Sequence, residues 1–128
     1  MTYTAVVFFS RKPGVSPAAF QEYFEKNQVP ILKKTAGDAF PIKHTRIYLQ
    51  RSEEGDCPAD IIFGNQDDFT FDAIALLEFE DASAGKRFTD ATHKPEYLDR
   101  FDDVPLLPDR SKRRAALVNK VYETRRTD

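Results

Sequence analysis

Residues 72–80 read D-A-I-A-L-L-E-F-E, and residues 2–10 read T-Y-T-A-V-V-F-F-S. Both are short runs of β-branched, aliphatic and aromatic residues; Lys12-Pro13-Gly14 stops the earlier one and Asp81 closes the later. Along a strand, side chains alternate between two faces. In the earlier run Tyr3, Ala5, Val7 and Phe9 share one face, and Thr4, Val6, Phe8 and Ser10 share the other. Neither face is polar enough to meet water, so both strands belong inside a sheet covered on both sides.

The flanking segments supply one cover. Ser16 caps a helix with Pro17 at its first position, where the missing N–H costs nothing. Phe20, Tyr23, Phe24, Asn27 and Ile31 form its buried stripe. Pro30 offers no donor to the carbonyl of Lys26, so it kinks the helix or ends its regular part, and Gly37 stops it. Residues 40–51, F-P-I-K-H-T-R-I-Y-L-Q-R, alternate as a strand that puts Ile42, His44, Arg46 and Tyr48 on one face. Residues 52–70 are acidic and broken by Gly55, Pro58 and Gly64, which predicts a long loop. A second helix opens at Asp81-Ala82-Ser83 and is interrupted by Pro95; residues 96–109 are irregular, and 112–124 form the last strand.

The resulting order, β-α-β-β-α-β, is the ferredoxin-like arrangement: an α+β fold with an antiparallel four-stranded sheet, residues 1–128 making one domain. Two helices cover one face of such a sheet. The other face needs a cover of its own, and a second copy of the same sheet supplies one by isologous pairing, which predicts a homodimer.

The totals narrow the function classes. With 41% apolar and 31% charged residues the chain is globular, and 11 phenylalanines with no tryptophan point to a phenylalanine-rich core or an apolar pocket. A net charge of −2 draws the molecule neither to nucleic acid nor to an anionic membrane, because acidic segments offset the basic residues between Arg110 and Arg114. No apolar run is long enough to span a bilayer and no leader pattern opens the chain, so the expected address is the cytoplasm. Cys57, the single cysteine, excludes an internal disulfide and lies in a polar loop segment. Neither metal-ligand spacing nor a phosphate-binding glycine loop occurs; no metal and no cofactor are expected.

Three blocks carry a family resemblance: F-S-R-K-P-G-V-S-P-A-A-F-Q-E-Y-F-E (9–25), V-P-I-L-K-K-T-A-G-D-A-F-P-I-K-H-T-R-I-Y (29–48) and Q-D-D-F-T-F-D-A-I-A-L-L-E-F-E-D (66–81). In this order they resemble the EthD domain, especially its fungal branch linked to polyketide and related secondary metabolism. The resemblance runs over nearly the whole chain. It implies a dimeric α+β barrel with a cavity between helices and sheet in each protomer. Similar fungal proteins act as decarboxylases, dehydratases or cyclases on polyketide intermediates, and others have no assigned activity. Relatives usually carry a histidine shortly before the proline of the first helix; Gln28 stands there in this chain, and an amide cannot exchange a proton near neutral pH.

The candidate catalytic residues are His44 and Asp72, both inside the family blocks. His44 is either a general acid/base or an inert interface histidine, and Asp72 orients a histidine, acts as a base itself or caps a turn. Candidate substrate-binding residues are Gln28, Tyr48, Phe9, Phe24, Tyr23, Arg46 and His93. His93 has an ordinary reading as a solvated helix-end residue, and the tyrosines as core residues with the hydroxyl at the rim. The expected function is that of a cofactor-independent lyase or cyclase, using proton transfer for decarboxylation, dehydration or ring closure of an aromatic or polyketide-derived intermediate. The alternative is a non-catalytic dimeric protein that binds or carries a small hydrophobic or aromatic molecule.

Overall fold

The structure is a computed structural model and describes residues 2–128. Four strands, β1 (Tyr3–Phe9), β2 (Lys43–Tyr48), β3 (Ala73–Phe79) and β4 (Arg114–Val118), form one antiparallel sheet in the order β2-β3-β1-β4. This is the ferredoxin-like α+β fold. The two strands apolar on both faces, β1 and β3, are its interior pair. Register puts Val7 opposite Ala75 and Ala115, and Leu77 opposite Ala5 and His44, on the helix side. Val6, Phe8, Ile74 and Leu76 fall on the opposite side, where no helix lies over them and they stay partly exposed.

The first helical rod contains α1 (Pro17–Tyr23), a wide π turn (Phe24–Gln28) and α2 (Val29–Ala36). Ser16 Oγ accepts from the Ala19 N–H at 3.1 Å. The regular helix does end before Pro30, yet the rod does not. In the wide turn the Val29 N–H reaches back five residues to the Phe24 carbonyl. Pro30 then sits in the opening turn of α2, where a missing donor costs little. Gly37, with φ 55°, closes α2 as its left-handed backbone favours.

Asp81 caps α3 (Ala82–Ala91), its carboxylate accepting from the Ala84 N–H at 2.8 Å. Two segments differ from the sequence reading. Pro95 does not leave an irregular stretch; it opens a further helix, α4 (Pro95–Asp103), which buries Tyr97 and Phe101 four residues apart. The last strand is also shorter than residues 112–124. Only Arg114–Val118 pair with β1, and residues 119–128 are exposed. The segment between β2 and β3 is the expected long loop, with Ile62 and Phe63 at its exposed tip. Among the described residues no helix is long and apolar enough to cross a membrane.

Two apolar clusters form the core. Leu32, Tyr97, Phe101 and Leu107 join α2 to α4, and Ala75, Leu77, Phe79 and Ala84 join the sheet to α3. Gly85 lets α3 approach the sheet, since a Cβ there would stand 2.7 Å from the Tyr3 ring.

Candidate functional site

Members of both clusters wall a cavity of about 450 Å³ between the helix layer and the sheet. Its surface is mostly apolar, from Phe9, Phe24, Leu77, Phe79, Phe88 and neighbours, with a few polar groups, as small-molecule sites usually are.

The most organised of these polar groups lies between the first helical rod and α4. Arg100 Nη1 donates to Gln28 Oε1 at 2.9 Å, and Gln28 Nε2 donates to the Tyr97 hydroxyl at 2.6 Å. A guanidinium only donates, so it fixes which end of the amide faces Tyr97. The tyrosine oxygen therefore accepts from Gln28 and keeps its own O–H for another partner. Gln28 is 1% exposed, and both ends of its amide are engaged. Burial pushes the Tyr97 phenol up to about 12, against the pull of Arg100 and Arg113, so it stays a neutral donor at ordinary pH.

His44 lies on β2, its ring stacked on Phe40 with centroids 5.8 Å apart. Arg46 Nη1 is 3.1 Å from His44 Nδ1 and 3.0 Å from the His44 carbonyl. Because arginine can only donate, Nδ1 accepts and the ring proton sits on Nε2. Arg46 is itself held by Glu25, with Nε to Oε2 at 2.6 Å and Nη2 to Oε1 at 3.0 Å. Tyr48 donates to the same carboxylate at 2.5 Å. Burial, then the Arg46 charge, lowers the His44 pKa from 6.5 to about 4, with Glu25 opposing. The Arg46 hydrogen bond lowers the Glu25 carboxyl, and burial with the Glu25 contact raises the Tyr48 phenol.

His44 thus makes stability depend on pH. The unfolded chain takes up its proton near pH 6.5, whereas the native state resists protonation until about pH 4. Its contribution is complete above pH 6.5 and is lost as pH falls through that window. The loss approaches about 3 kcal/mol. Denaturant unfolding at pH 7 and pH 4.5 measures it; a His44→Gln protein should lack that part of the acid dependence, and identical pH slopes in the two proteins would refute the assignment.

His93, at the end of α3, is held differently. Its Nδ1 is 2.7 Å from the Thr89 carbonyl oxygen, which only accepts. The proton is therefore on Nδ1, leaving the Nε2 lone pair free.

Of the sequence candidates, Phe9, Phe24, Gln28, His44 and His93 line this cavity. Tyr48, Arg46, Tyr23 and Asp72 do not. Tyr48 and Arg46 turn to Glu25, so Arg46 reaches the cavity only through His44. Tyr23 packs beside Tyr97 and Phe101, with its hydroxyl 3.4 Å from Arg100 Nη2. Asp72 is 7% exposed and bound by two arginines: Arg11 Nε lies 2.8 Å and Arg51 Nε 2.7 Å from Oδ1. It joins β1, β2 and β3 outside the cavity. Tyr97, Arg100 and Arg113 were absent from the sequence candidates. All three lie in or after the segment read as irregular; the Tyr97–Phe101 spacing behind a proline was the available sign of a helix face.

The fold has solved counterparts at low sequence identity. An ethyl tert-butyl ether D (EthD) family protein from Bacillus halodurans is 12% identical, with a TM-score of 0.54 over 94% of this chain and 100% of that one. SnoaB, a cofactor-independent oxygenase from Streptomyces nogalater, is 17% identical in a mutant form, with a TM-score of 0.51 over 95% of each chain. A dimeric ferredoxin-like protein of unknown function from Thermobifida fusca is 10% identical, with a TM-score of 0.50 over 92% of this chain and 90% of that one. No curated protein sequence matches the chain. The EthD domain model matches residues 12–111, and on that extent the chain belongs to the EthD domain family.

Proposed function

We propose that the chain is a cofactor-independent enzyme that moves protons at a carbon beside a carbonyl group, as a lyase or cyclase of an aromatic or polyketide-derived intermediate of secondary metabolism. The observation that carries this reading is the pairing, on the wall of one apolar cavity, of an imidazole held as a donor with an imidazole held as an acceptor. His93 Nε2 removes the proton. The carbonyl oxygen becomes an enolate, which the Tyr97 hydroxyl and the His44 Nε2–H stabilise as preorganised donors. The β-hydroxyl then leaves as water with the proton held by His93, or the enolate attacks a second carbonyl whose oxygen takes that proton. In a decarboxylation no proton is removed first, and the same donors stabilise the enolate that loss of carbon dioxide leaves before it is protonated at carbon. His44 works here as a hydrogen-bond donor; its low pKa keeps the ring neutral and makes it a poor base. A structural neighbour described as a cofactor-independent oxygenase fits a cavity that works without a bound helper.

The same reading includes a homodimer. Val6, Phe8, Ile74 and Leu76, with half-exposed Ile47, make an apolar sheet face opposite the cavity, and a second copy is its natural cover. A structural neighbour described as dimeric supports this arrangement.

The test is deuterium exchange. Benzoylacetone and larger aromatic 1,3-diketones are incubated with protein in deuterium oxide, and exchange at the central carbon is followed by NMR. Exchange should be accelerated, and His93→Ala should lower the protein-dependent rate about 10²–10⁴-fold. Full acceleration by a folded His93→Ala protein removes the base assignment. One observation favours the carrier alternative: Gln28 stands where relatives carry a histidine, and both ends of its amide are engaged. Tight binding of these diketones with no exchange at all would establish that alternative.

A further inference from the structure

We propose that the ligand of this cavity is an organic carboxylate, held by Arg113 and retained through the reaction. The inference rests on the reading of the cavity as the ligand site. Arg113 stands just before β4, lines the cavity and is partly buried, with its guanidinium 5.4 Å from the centroid of the Phe101 ring. Among the described residues no carboxylate pairs with it, although Arg11, Arg46, Arg51, Arg110 and Arg125 each have an acidic partner. The chain contains 21 aspartates and glutamates, yet none lines the cavity. Its other charged wall residue, Lys86, is engaged by Asp90 at 2.9 Å.

A partly buried guanidinium without a counter-ion is costly, and the Phe101 face offsets only part of that cost. A ligand that brings the missing negative charge removes the rest. The planar fork of arginine matches a carboxylate, with two parallel N–H donors for its two oxygens. Tyr97 carries a free O–H near this charge, and the phenylalanine walls accept a ring attached to the carboxylate.

A carboxylate held in this way also narrows the chemistry open to the ligand. Decarboxylation must strip charge from the carboxylate, and a guanidinium that stabilises this charge in the ground state opposes the step. The carboxylate on Arg113 is therefore a handle, and the chemistry at the neighbouring carbonyl is loss of water or ring closure.

Calorimetric titration tests the charge directly, comparing carboxylates with their neutral amides at three ring sizes: benzoate, 2-naphthoate and anthracene-2-carboxylate. On the wild-type protein at pH 7.5 the best-fitting acid should bind on the order of 10–100-fold tighter than its amide. In Arg113→Gln the preference should shrink to within a few-fold, with most of the loss falling on the acid. Equal affinities for acid and amide in the wild type, or a preference that survives Arg113→Gln, would overturn the carboxylate assignment while leaving the cavity a ligand site. Failure of every acid and amide to bind would overturn both. The wild-type comparison decides the question even where the variant does not fold.

Discussion

Replacing Asp72 with alanine should destabilise the protein by about 3–5 kcal/mol, the range for breaking a buried ion pair from one side. Its melting temperature should fall on the order of 10 °C. The carboxylate serves three segments at once. Its Oδ2 accepts the Arg11 N–H at 2.8 Å and its Oδ1 lies against the Nε atoms of Arg11 and Arg51. The Arg51 N–H is not aimed at that oxygen, so this second contact is an ion pair by proximity rather than a hydrogen bond. Each arginine is committed elsewhere as well. Arg11 Nη1 donates to the Val15 carbonyl at 2.6 Å, and Arg51 donates to the carbonyls of Cys57, Phe69 and Phe71, pinning the long loop to the sheet. With the carboxylate gone, two largely buried cations face each other without a counter-charge. Thermal unfolding followed by circular dichroism measures the loss. Asp72→Asn should fall between wild type and alanine, because an amide still accepts. Deuterium exchange of the diketones by folded Asp72→Asn should match wild type, since Asp72 stands outside the cavity. A change in melting temperature below about 2 °C for Asp72→Ala would remove the structural role assigned here.

Tyr97→Phe should lower the protein-dependent exchange rate about 10²–10³-fold, the usual cost of deleting one preorganised donor to a developing oxyanion. The substitution keeps the ring that packs against Phe101, at 5.8 Å between centroids, so the fold should survive. It strips the Gln28 amide of its acceptor, which adds about 1–3 kcal/mol of instability for a buried unpaired group. Binding of a neutral naphthamide should change little, because the lost interaction strengthens only as charge builds on the oxygen. The signature is thus a fall in kcat with KM nearly constant. An equal fall in binding and rate would make Tyr97 a packing residue and leave His44 as the donor that matters.

The fold was legible because its decisive segments are redundant. Strands apolar on both faces can only be interior, and Ser16-Pro17 marks a helix start by two independent signals. Pro95 misled because Lys94 before it carries no capping side chain, so the proline looked like a breaker rather than a first residue. The C-terminal run failed in the other direction. Val121 and Tyr122 have strand-like chemistry, but pairing with β1 stops at Val118 opposite Thr4, close to the start of β1. At the site, residue type located His44 and Gln28, whereas their chemistry was set by partners distant in sequence. Nothing in K-H-T-R says that burial, aided by Arg46, will hold His44 neutral, and Gln28 receives its orientation from Arg100, 72 residues away. The surroundings of Asp72 have the same origin: its partners Arg11 and Arg51 are brought to it only by strand pairing.

The sheet is also a partition. Along β1, neighbouring side chains alternate between the cavity and the uncovered apolar face, one backbone thickness apart. In evolutionary terms the two surfaces can drift almost independently. A lineage can remodel Ala5, Val7 or Phe9 to admit a new molecule without disturbing Thr4, Val6 and Phe8, and so without renegotiating whatever covers them. An architecture wired this way invites diversification of chemistry on a constant chassis.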